Sequence, residues 1–103
     1  MEPRSVSLSE GALFRKVGDE AVILDVATEK YFGLDRVGGA MVELIAEGDG
    51  PVSEADVVLD ISGRFSAPAE RIEQDVQVLV DKLVSLGLAQ ISNPSDSALL
   101  KHS

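Results

Sequence analysis

Residues 30–45 read KYFGLDRVGGAMVELI, and a change of period inside this stretch decides the fold. From Lys30 to Leu34, Phe32 and Leu34 alternate with Tyr31 and Gly33, a period of two that suits a strand. After Asp35 the apolar residues fall at Val37, Ala40, Met41, Leu44 and Ile45. Those spacings draw one continuous stripe on a helix. A strand therefore hands over to a helix at Asp35, a residue type that caps helix starts.

Toward the N-terminus, Leu13 to Val17 and Ala21 to Val26 are rich in β-formers, and Gly18-Asp19-Glu20 between them is a turn cluster. Ala27-Thr28-Glu29-Lys30 makes the second turn, so three short strands form a meander that ends at Tyr31–Leu34. Residues 1–11 are polar, lack a clear period and are expected to be a lead-in.

Toward the C-terminus, Gly48-Asp49-Gly50-Pro51 stops the first helix. Ser53 with Asp56 predicts a capping box. The helix that follows draws apolar faces from Val57, Val58 and Ile61 and from Ala55 and Leu59, with Gly63 as its stop. Ser66 is expected to cap a third helix with Pro68 in its first turn. Ile72, Val76, Leu79, Leu83 and Leu86 recur at helical spacing, Gly87 ends the run, and Leu88 folds back on it. Leu88 to Ile91 fits a short last strand. The expected fold is α+β: a three-stranded antiparallel sheet followed by three helices, resembling a winged helix-turn-helix. Residues 12–91 are the domain, and residues 92–103 are read as a flexible tail.

A chain of 103 residues allows one domain with one modest core. With no cysteine, disulfides, thiolate metal sites and cysteine nucleophiles are excluded. The formal charge of −9, from 18 acidic against 9 basic residues, repels phosphate backbones and anionic lipid. No apolar run approaches the ~20 residues of a membrane span, and Met1 to Ser5 does not open a signal peptide. The expected location is the cytoplasm, with neither nucleic acid nor membrane as a partner.

Catalysis needs a nucleophile, base or metal held in place. The one histidine, His102, stands next to the C-terminal residue, where no scaffold fixes it. Glu70, Glu73, Asp75 and Asp81 fit a solvated helix face. Asp49 lacks the ligand series of an EF-hand. Gly38-Gly39 lacks the context of a phosphate loop and points instead to close packing at the start of the first helix. Asp96-Ser97 does not stand at a helix start as a carrier-protein serine would. The expectation is no enzyme, no cofactor and no metal.

What remains is surface. Lys30 to Leu34 is the last strand of the meander and so an edge, with unpaired N–H and C=O groups and only Lys30 as a deterrent to pairing. Such an edge either is covered by another element or accepts a peptide by strand addition. Val78 and Val84 lie off the seam of the third helix. They either widen the core contact or form one wall of a groove beside that strand.

The stretch Leu24 to Gly38, LDVATEKYFGLDRVG, resembles the signature of PqqD-like proteins, the recognition domains for ribosomally made and post-translationally modified peptides. Ala69 to Val76 (AERIEQDV), Leu79 and Leu86-Gly87-Leu88 also fit, so the likeness covers roughly residues 12–91. The resemblance implies a leader peptide paired with the third strand at Lys30, Tyr31, Phe32, Gly33 and Leu34. It implies further contacts on the third helix from Arg71, Gln74, Asp75, Val78, Leu79 and Lys82. Many relatives have glycine where Glu29 stands, and Glu29 fits if its turn does not need a positive φ. The strand is more similar to that of the freestanding domains of lasso-peptide pathways than to that of the pyrroloquinoline-quinone members, so a lasso-type pathway is favoured over a PQQ or radical-SAM one. The implied partners are the precursor peptide and a leader protease, a cyclase or a radical-SAM enzyme. Two rival readings are a winged-helix DNA regulator, which the acidic third helix opposes, and a dimerisation or assembly module in which the edge pairs with its twin as a homodimer.

Overall fold

The structure is a computed structural model, and it describes residues 4–92. The meander forms as expected: β2 (Ala12–Val17), β3 (Glu20–Asp25) and β4 (Lys30–Leu34) make an antiparallel sheet in the order β2-β3-β4. Its register sets Phe14, Ile23 and Phe32 side by side on one face and Leu13, Leu24 and Tyr31 on the other. The first face turns inward, with Ile23 fully buried and Phe14 and Phe32 half-buried.

α1 (Arg36–Glu47) packs on that face, and α2 (Glu54–Phe65) and α3 (Ala69–Ser85) pack against α1 and each other to close the core. The Asp35 carboxylate accepts from the Gly38 amide at 2.7 Å, which satisfies an N–H that the first helical turn leaves open. Gly39 lets α1 sit close on the sheet, because a Cβ there would stand 3.1 Å from the Ala21 Cβ. Met41, Val42 and Ile45 of α1, Val57, Val58 and Ile61 of α2, and Ile72, Val76, Val80 and Leu83 of α3 fill the core.

The lead-in expected over residues 1–11 needs correction. Ser5–Leu8 is a strand, β1, at the centre of a second antiparallel sheet between β5 (Val52–Ser53) and β6 (Ala89–Ser92). Val6 is completely buried, and burial of a valine is worth about 1.5–3 kcal/mol. Arg4 then ties the chain to α2: its guanidinium grips the Glu54 carboxylate twice, at 2.8 and 2.9 Å, and reaches Asp81 at 3.4 Å. Four residues with one buried apolar side chain are too short a run to display a period. Of the tail expected over 92–103, Ser92 closes β6, and the remainder lies outside the described residues.

Several helix ends also differ. α2 runs through Gly63, and Ser66 takes the left-handed cap at φ 51°. Ser66 therefore closes α2 and does not open α3, which begins after Pro68 without a side-chain cap. Ser53 does cap α2, accepting from the Ala55 amide at 3.2 Å. At the far end of α3, Gly87 at φ 77° donates to the Val84 carbonyl and Leu88 to that of Leu83, a Schellman closure that buries Leu88 as expected. The buried stripe of α3 includes Val80, while Leu79 is half-buried and Leu86 largely exposed.

Candidate functional site

The hydrogen-bond parity of the meander can be followed residue by residue. Gly18-Asp19 is a two-residue hairpin loop, so the flanking pair Val17 and Glu20 is hydrogen-bonded. The Val26 amide donates to the Gly11 carbonyl at 2.9 Å, in step with that pattern. Glu20, Val22 and Leu24 thus bond to β2, and Ala21, Ile23 and Asp25 turn their polar groups to β4. Their partners there are Leu34, Phe32 and Lys30. The N–H and C=O groups of Tyr31 and Gly33 consequently point away from the sheet. Among the described residues β4 has no other strand beside it, and these four groups form its open edge.

Against this edge lies a groove of about 530 Å³ between β4 and α3. β4 contributes Phe32, Gly33 and Leu34; α3 contributes Arg71, Asp75, Val78, Leu79 and Lys82. The sequence reading therefore named one strand and one helix that the fold brings together. Val78 stands 70 % exposed on the groove wall. A valine so placed adds nothing to the core and is available to a ligand. Val84 does not line this groove.

Three residues from the expected set sit elsewhere. Lys30 and Tyr31 belong to β4 but do not line the groove, and Tyr31 is 72 % exposed on the outer face of the sheet. Gln74 borders a separate depression with Pro68, Glu70, Arg71 and Asp75. Sequence reasoning missed Asp35, Val37, Gly38 and Met41, which supply the groove's floor from the strand–helix junction and α1. Gly38 carried a usable signal, being a glycine within one turn of an edge strand.

The groove's charged groups make no ion pairs among the described residues: the pairs present are Arg4 with Glu54 and Asp81, Lys16 with Glu43, and Arg64 with Asp60. A second depression, about 680 Å³ beside the β2–β3 hairpin, has its cations engaged. There Lys16 meets Glu43 at 3.5 Å, and Arg36 lies 5.7 Å above the Phe65 ring. Among the described residues, no group of three or more His, Asp or Glu could hold a metal ion. No helix among them is long and apolar enough to cross a membrane.

A family model described as coenzyme PQQ synthesis protein D (PqqD) matches residues 20–89, more than half of the chain and the whole of the edge and groove. The chain belongs to the PqqD family. Two solved structures share the PqqD-type fold seen here. One is described as TbiB1 in complex with the TbiA(beta) leader peptide, with a TM-score of 0.72 and 27 % identity over 82 % of this chain and 94 % of that one. The other is lasso peptide synthetase B1 complexed with the leader peptide, with a TM-score of 0.69 over 82 % of this chain and 96 % of that one. At 21 % identity it speaks for the fold alone. No curated protein matches the chain.

Proposed function

We propose that this PqqD-family chain captures the leader of a ribosomally made precursor peptide as an added strand on β4. It then presents the peptide to a modifying enzyme without itself catalysing a bond change. The observation that carries this reading is the set of four outward-pointing backbone groups of Tyr31 and Gly33 beside a groove with apolar and charged walls. The fold shared with TbiB1, whose structure holds a leader peptide, supports it, and the resemblance of the Lys30–Leu34 strand to freestanding lasso-pathway domains favours a lasso-peptide pathway. A leader protease or a cyclase is then the enzyme served.

Strand addition at Tyr31 and Gly33 offers up to four backbone hydrogen bonds at about 0.5–1.5 kcal/mol net each. That range falls short of the ~8 kcal/mol of a micromolar complex once the cost of association is counted. Side-chain anchors in the groove must therefore supply much of the affinity, and the backbone bonds supply register. Capture then acts by tethering, since it raises the effective concentration of the peptide's core segment at the enzyme.

Calorimetric titration with a synthetic leader, taken from the small peptide encoded beside this chain, tests the reading. Saturable binding of one peptide per chain in the micromolar range or tighter is expected. Heat no greater than dilution, with duplex DNA binding in its place, would overturn it.

A further inference from the structure

Arg71, Asp75, Val78, Leu79 and Lys82 form a single stripe along α3, three turns long, and every one of them lines the groove. The stripe lies about a quarter of a turn round from the core stripe of Ile72, Val76, Val80 and Leu83. Its order is positive, negative, apolar, positive. The three charged residues are exposed and make no ion pair among the described residues, although Arg71 and Asp75 stand at the i, i+4 spacing that allows one. From Arg71 to Lys82 the helix rises about 16.5 Å, and four alternate residues of a strand span about 20 Å. A strand running along α3 therefore meets the four rungs with roughly every second residue, drifting by about 1 Å per rung, which long charged side chains absorb. Strand pairing imposes the same alternation, because residues opposite Phe32 and Leu34 turn to the groove face while those opposite Gly33 turn to the outer face.

We infer that α3 reads a charge order in the bound peptide, so that its four groove-facing alternate residues run acidic, basic, apolar, acidic alongside Arg71, Asp75, Val78 with Leu79, and Lys82. This rests on the peptide-capture reading above and specifies the peptide chemistry that the site takes. The apolar rung is the best seated. Leu79 is half-buried, and it lies next to Gly38 and Leu34 at the groove floor, where a Cβ on Gly38 would stand 3.8 Å from Leu79 Cδ2 and 3.7 Å from Leu34 Cδ2. Each matched charge at an exposed rung contributes about a two- to fivefold gain in affinity, and the three together about tenfold or more. The pattern is not a palindrome, so it also fixes the direction in which the peptide runs.

The test is a displayed library of extended peptides in which four alternate positions vary among Glu, Lys, Leu and Thr and the intervening residues are Thr. It is selected against the full chain and against Asp75→Lys, whose exposed position leaves the core intact. The expected result is enrichment of acidic, basic, apolar, acidic in one chain direction, with the basic position turning acidic for Asp75→Lys. Enriched peptides without that order, or with an order indifferent to Asp75→Lys, would overturn the charge reading while capture at β4 stands. No enrichment of any peptide would remove both.

Discussion

Gly38 and Leu79 meet at the floor of the groove with no side chain from α1 between them: a methyl on Gly38 would touch Leu79 Cδ2 at 3.8 Å and press on the Asp35 carboxylate at 3.0 Å. The glycine thus keeps the groove open and lets Asp35 cap α1. Gly38→Ala gains about 0.5–1 kcal/mol of helix propensity and sets it against a cap worth about 1 kcal/mol. Its stability should stay within ~1 kcal/mol of the parent by chemical denaturation. Gly38→Leu fills the floor and should weaken leader binding by about tenfold or more.

Gly33→Pro separates the edge from the ladder. Because Gly33 points its amide away from β3, proline there removes no bond within the sheet. Circular dichroism should show an intact fold, and leader affinity should fall about five- to thirtyfold, the equivalent of one or two kcal/mol. Phe32→Pro, whose amide faces β3, should instead destabilise the fold. Unaltered binding by folded Gly33→Pro would contradict the edge assignment.

Glu29 sits at φ 62°, in the left-handed region. The turn before β4 does need a positive φ, and a glutamate supplies it at a cost of roughly 1–2 kcal/mol. Glu29→Gly relieves that strain against a smaller loss from chain entropy. The variant should gain about 0.5–1 kcal/mol and melt a few degrees higher by calorimetry.

The parts of this molecule that repeat were legible in its sequence. The meander, the first helix and the glycine closure at Gly87 each follow from a period or a turn residue. The place of β4 at the end of the meander was legible too, but the sequence leaves open whether another element covers it, which tertiary packing decides. The parts that depend on long-range partners were not legible. β1 exists because β5 and β6, 40 and more residues away, pair with it. The choice of Val80 over Leu86 for the core depends on which way α3 faces, and the apolar pattern on α3 is wide enough to permit either. Gly63 was the natural helix stop by residue type, yet Ser66 took the left-handed position. In the site, the strand and helix walls were readable as an edge and an off-seam face, but the floor came from α1 through tertiary packing.

The N-terminal segment should matter for stability. Val6→Ala removes volume from a fully buried site and should cost ~2 kcal/mol. Arg4→Ala leaves the Glu54 carboxylate, largely buried, without its partner and should cost about 1–3 kcal/mol. Denaturant melts of both variants check this. Neither residue lines the groove, so leader affinity of the folded fraction should be unchanged.

Amide hydrogen exchange along β4, followed residue by residue by NMR with and without the leader peptide, tests the central claim most directly. In the free chain, Phe32 and Leu34 should be protected by β3, while Tyr31 and Gly33 exchange freely. Saturating leader should slow Tyr31 and Gly33 and shift their resonances, leaving protection at Phe32 and Leu34 in place. Tyr31 and Gly33 that stay in fast exchange while the peptide is bound would contradict strand addition at this edge.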